Sequence, residues 1–179
     1  VADEVYVPLG HLDYSAELSK IAAAKPDAVY VFLPGGMGVN FVKQFRQAGL
    51  ADKTVFLSAF TVDESTLPAQ QDAALGFFAG ANWAPNLDNA ANKKFVADYE
   101  KEFGAVPATY AFQAYDAAAL IDGALKLTGG KTDDRNALRA ALKKANFASL
   151  RGGFKFNSNN YPIQDFYLVK VAKRADGKF

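Results

Sequence analysis

The sequence predicts an α/β fold built on parallel strands, from three observations. Apolar runs at Ala28–Leu33 and Thr54–Leu57 alternate with amphipathic segments in the order strand, helix, strand, helix, strand. The first run stops at Pro34-Gly35-Gly36 and passes straight into a segment with Phe41, Val42, Phe45 and Ala48 on one face. Half of the 179 residues are apolar, enough for a buried core.

Val1–Pro8 reads as a strand from its first residue, with Val5 and Val7 alternating with Glu4 and Tyr6. So abrupt a start suggests a piece of a longer chain. Leu9–Leu12 is a loop holding the single histidine, His11, read as a solvated loop residue. Asp13 or Ser15 caps a helix to about Lys25 with Leu18, Ile21 and Ala22 inward, and Pro26-Asp27 breaks it. The second helix is expected over Asn40–Ala48, stopped by Gly49. Thr54–Leu57 is a third strand, leading into Ser58-Ala59-Phe60-Thr61. Asp63–Asp72 is a polar, helical connection, and Ala74–Ala84 an aromatic, glycine-rich extended segment.

Pro85–Asn89 is turn chemistry. Ala90–Phe103 follows as a helix with Phe95, Tyr99 and Phe103 four residues apart, ended by Gly104. Ala108–Leu127 is apolar on nearly every side and is expected to be deeply buried. A further helix starts at Thr132 or Asp133 and runs to Ala145, faced by Leu138, Ala141 and Leu142. Gly152–Asn157 and Phe166–Val171 read as strands of a hairpin around Asn157–Asn160.

Composition excludes several classes. Twenty Lys and Arg against 19 Asp and Glu leave no basic surface for a nucleic acid. No apolar run of about 18 residues spans a membrane. Cysteine is absent, which removes disulfides and thiolate sites. No GxSxG, HExxH or Walker motif is present, and His11 has no nucleophile near it in sequence, so the chain reads as a binding protein rather than an enzyme. Gly35-Gly36-Met37-Gly38 has the wrong order for a dinucleotide fingerprint, and no metal ligand set or cofactor is implied.

The candidate site is a group of element ends. Pro34-Gly35-Gly36, Phe60-Thr61 and Asn82-Trp83 close strands, and Tyr110, Phe112 and Tyr115 open a helix. Backbone N–H groups at helix starts favour an anion such as a carboxylate, and aromatic rings supply flat apolar walls. Core packing accounts for any one of these aromatics; the set points to a ligand.

The segments AAAKPDAVYV, KTVFLSAF, FVADYEKEFGAVPATYAFQAYDAAALIDGAL and LRGGFKFNSNNYPIQDFYLVKV, in this order, resemble periplasmic solute-binding proteins of ABC transporters, in the branched-chain amino acid receptor family. The resemblance runs over essentially the whole chain and implies the second half of such a protein. It implies Rossmann-like, three-layer lobes of the type I periplasmic binding protein fold, here incomplete. Residues 1–80 would belong to lobe two, 81–162 to lobe one, and 163–179 would return to lobe two. It also implies a periplasmic location, a permease as partner, and a small carboxylate clamped between the lobes. The absent half would carry the signal peptide and most lobe-one contacts.

Two departures bear on the ligand. Amino-acid receptors of this family place an acid after the lobe-two strand to hold the ligand ammonium, where this chain has Phe60. Pro34 stands where those receptors often carry a tyrosine. Desolvating an unpaired ammonium is costly, so the expected ligand is an aromatic or other apolar acid without an amine. The segment FNSNNYPIQDFYLVKV resembles the branch of the family linked to lignin-derived aromatic acids. Phe60, Trp83 and Tyr115 would wall that ligand, and Gly35, Gly36 and Thr61 would offer hydrogen bonds. The alternatives are an amino-acid receptor of the same family and a ligand-sensing domain of a regulator or receptor.

Overall fold

The computed structural model describes residues 1–179, which divide into two compact units. Residues 1–81 and 168–179 form the first, and 82–167 the second. Residues 163–167, expected with the first unit, belong to the second.

The first unit runs α1 (Ser15–Ala24), β1 (Ala28–Val31), α2 (Gly36–Gln47), β2 (Val55–Ser58), α3 (Leu67–Gln70), a 3-10 turn and β3 (Phe78–Ala81). β6 (Tyr167–Lys170) completes a four-stranded sheet ordered β1-β2-β3-β6. β1 pairs parallel with β2, and β2 with β3, in the register Tyr30↔Leu57↔Phe78. Parallel strands joined by helices are the α/β class that the alternating pattern implied.

The α2 face drives this packing. Phe41, Val42 and Phe45 share one side of the helix at three- and four-residue spacing and are buried. Phe45 meets Phe56 edge-on at 5.4 Å, and Phe56 stacks on Phe77 at 4.2 Å. The opposite sheet face is open: Tyr30 and Val55 are exposed, and Leu57 and Phe78 partly so. Strands of parallel sheets normally bury both faces, so this sheet is an incomplete layer.

Four expectations change within the first unit. Val1–Pro8 pairs with no strand, and Val7 packs against this unit's core instead. α2 starts at Gly36, four residues early, since Gly36 and Gly38 enter the first turn despite their low propensity. The Asp63–Asp72 connection is a hydrogen-bonded turn rather than one helix: Asp63 Oδ1 accepts from the backbone of Ser65 and Thr66 before the four-residue α3. His11 is partly buried and packs edge-on against Tyr14 at 4.9 Å, with Nε2 3.6 Å from Glu17 Oε2.

The second unit contains α4 (Ala90–Phe103), α5 (Thr109–Leu127), α6 (Arg135–Lys143) and a small ribbon of β4 (Lys155–Phe156) and β5 (Pro162–Ile163). Asn89 caps α4 by accepting from Asn92 N–H. Asp134, not Thr132 or Asp133, caps α6 by accepting from Asn136 and Ala137. α5 is less buried than its composition suggests. It buries the stripe Thr109, Phe112, Asp116 and Gly123, while Tyr110, Tyr115, Ile121 and Leu127 are exposed. The Asn157–Asn160 turn forms, with Asn157 N–H donating to Tyr161 O at 2.8 Å. Its second strand is Pro162-Ile163, and Phe166–Val171 is instead the segment of β6.

Candidate functional site

The ends of β1 and β2 form a lip in the first unit. Thr61 builds it. Its side chain is wholly buried, and Oγ1 accepts from Leu33 N–H at 2.9 Å while lying 3.2 Å from Val31 O. Thr61 O in turn accepts from Gln70 Nε2 at 2.7 Å. The hydroxyl of Thr61, a residue expected from sequence to offer a ligand hydrogen bond, is engaged inside the fold, tying the loop after β2 to the end of β1.

Around this staple the remaining lip residues face outward. Pro34, Gly35 and Gly36 are exposed. Gly35 has φ 62°, in the left-handed region, and precedes the first turn of α2, whose leading N–H groups lack intrahelical acceptors. Gly38 is required for a different reason: a Cβ there would lie 2.1 Å from Leu33 O. Phe60, at φ 54°, is 37% exposed. Its ring meets Phe32 edge-to-face at 6.3 Å and 88°. Phe32 is 59% exposed, and the sequence reading missed it because it lies inside an apolar run taken as core.

Glu64 lies in the turn after Thr61, beside Asp63. Burial pushes its carboxyl up to about 7, with a smaller contribution from Asp63. Below that pH the turn carries one negative charge fewer.

Trp83 and Tyr115 lie in the second unit and differ sharply. Trp83 is 2% exposed, stacks on Phe112 at 4.9 Å, and donates its indole N–H to Asn92 Oδ1 at 2.7 Å. Its flat face packs within this unit's core. Tyr115 is 49% exposed, with its ring 4.8 Å from Phe95. Next to it, Asp116 is buried and accepts from Ser149 Oγ at 2.6 Å and Leu150 N–H at 2.9 Å. An acid four residues from Phe112, on the same stripe of an otherwise apolar stretch, was the available signal for this residue.

The chemistry on offer is apolar and aromatic surface beside bare backbone donors. That suits a flat, anionic small molecule.

A family model described as periplasmic binding protein matches residues 1–178. The Leu/Ile/Val-binding protein homolog 6 of Brucella melitensis is 32% identical over 186 residues, covering all of this chain and 47% of that protein. A solute-binding protein of an ABC transporter from R. palustris, solved with benzoate, is 33% identical with a TM-score of 0.87, covering 96% of this chain and 46% of that one. Another from Rhodopseudomonas palustris BisB5, with 3,4-dihydroxybenzoic acid, is 38% identical with a TM-score of 0.82, covering 93% and 46%. The chain spans about half the length of the curated relatives it matches. On its parallel sheet, its helices and a family match over nearly every residue, the chain belongs to the periplasmic binding protein family, with the type I fold.

Proposed function

We propose that this chain is part of the extracytoplasmic solute-binding component of an ABC importer, and that its ligand is a small aromatic carboxylic acid of the benzoate or coumarate kind. The observation that carries the reading is the exposed Phe32–Phe60 pair beside Gly35 and the start of α2. Two rings at right angles offer an edge and a face for an aromatic ligand. The leading N–H groups of α2 suit a carboxylate. Phe60 stands where an amino-acid receptor of this family keeps an acid, so an ammonium group would meet no counter-charge there. The ligands in the names of the R. palustris and BisB5 proteins support the same class.

The ligand contacts in this chain are Pro34, Gly35, Gly36 and Phe60 in the first unit, joined by Phe32, and Tyr115 in the second. Thr61 and Trp83 support these surfaces from beneath. The mechanism is a hinged clamp whose closed form is presented to a permease in the periplasm. The first unit is lobe-two material, the second lobe-one material.

The second reading is a receptor for branched-chain amino acids, favoured by the name of the Brucella relative. Calorimetry with benzoate, 3,4-dihydroxybenzoate and leucine, on a longer polypeptide carrying this chain, separates them. Binding of the benzoates alone supports the first reading, and binding of leucine alone the second.

A further inference from the structure

The chain passes between its units twice, at Ala81–Asn82 and at Tyr167–Leu168. One guanidinium reaches the second passage directly, at Gln164, and the first through Gln164. Gln164 Oε1 accepts from Arg151 Nη1 and lies 3.5 Å from Asn82 Nδ2. Arg151 Nε donates to Asp116 Oδ2 at 3.3 Å, and Asp116 is fixed on α5 by Ser149 and Leu150. The guanidinium lies 4.6 Å from the centre of the Phe154 ring and 5.6 Å from that of Phe112. Asp116 is buried at 4% exposure and Arg151 mostly covered at 14%.

A buried ion pair of this kind is weak evidence for stability, because desolvation offsets its attraction. What the guanidinium adds is direction: a rigid planar fork that fixes its acceptors at set angles. Here it sets the side chain of one passage against the other and both against α5.

We infer that Arg151 is a positioning residue that makes Asn82 and Gln164 rigid extensions of α5. Bending between the units is thereby confined to the residues beyond them. Tyr115 precedes Asp116 on the same helix, so a ligand at Tyr115 would share one frame with both passages; that consequence alone rests on the clamp reading.

Hydrogen exchange of the ligand-free 179-residue chain tests the inference independently of any ligand assignment. Gln164→Ala is expected to raise exchange about fivefold in peptides covering Asn82–Leu87, on the other passage, as well as around Pro162–Tyr167. Gln164→Glu keeps an acceptor for the same donors and is expected to restore protection at both. Arg151→Lys keeps the charge without the fork and is expected to behave like Gln164→Ala. Should that variant not fold, the two Gln164 variants decide alone. Faster exchange confined to Pro162–Tyr167, or a Gln164→Glu variant no better protected than Gln164→Ala, overturns the inference.

Discussion

Leu33 N–H donates to Thr61 Oγ1 at 2.9 Å, joining the end of β1 to the loop after β2. The bond lets a glycine turn and an exposed phenylalanine face outward from fixed positions. Thr61→Val keeps the shape and removes the acceptor, leaving Leu33 N–H unpaired in the lip. A loss of about 1–3 kcal/mol is expected in urea unfolding, the cost of an unsatisfied buried group. An unchanged midpoint would show that the lip does not depend on this bond.

Gly36 and Gly38 are two residues apart in the same helical turn and should respond oppositely to alanine. A Cβ at Gly38 meets Leu33 O at 2.1 Å, whereas nothing lies within 4 Å at Gly36. Gly38→Ala forces the end of β1 to move and is expected to cost about 1–3 kcal/mol, as overpacking does. Gly36→Ala is expected to be neutral or to stabilise by up to about 1 kcal/mol through helix propensity. Parallel thermal melts of the two variants check the contrast.

Glu64 gives the fold a pH dependence of definite sign. Its carboxyl is pushed from 4.5 up to about 7 by burial, so the folded chain holds a proton that the unfolded chain releases. The stabilisation is complete below pH 4.5 and is lost as the pH rises through about 7. Glu64→Gln should flatten that part of the stability profile, measured by denaturant unfolding at a series of pH values. A profile equally steep in the variant would assign the effect elsewhere.

The open sheet face, with Tyr30 and Val55 exposed, should make the isolated chain sticky. It is expected to bind a hydrophobic dye and to self-associate at high concentration. Tyr30→Lys should reduce both without lowering the unfolding midpoint. Analytical ultracentrifugation and dye titration of the two chains provide the check.

The alternating pattern made β1, α2 and β2 legible, because each buries one face against the next and its period records that burial. The aromatic i, i+4 spacing did the same for α4. Non-local matters were illegible. Val1–Pro8 has the alternation of a strand but no neighbour for its ladder. α5 is apolar all round, so its pattern could not say which stripe, Phe112 and Asp116, packs inward. The Asn-rich turn was readable, yet Pro162-Ile163 as the partner of β4 was not, since two residues leave no periodicity. At the site, glycine and proline marked the lip. The buried roles of Thr61 and Trp83 depend on Leu33 and Asn92, partners that no local pattern reveals.

The most direct test of the aromatic-acid reading is calorimetric titration of a longer polypeptide carrying this chain, with Phe60 intact and as Phe60→Glu. The account predicts benzoate or 3,4-dihydroxybenzoate binding with a Kd on the order of micromolar, no leucine binding, and at least about a tenfold loss of the acid in the variant. Micromolar leucine binding by the unaltered protein, with no heat from either benzoate, would contradict it.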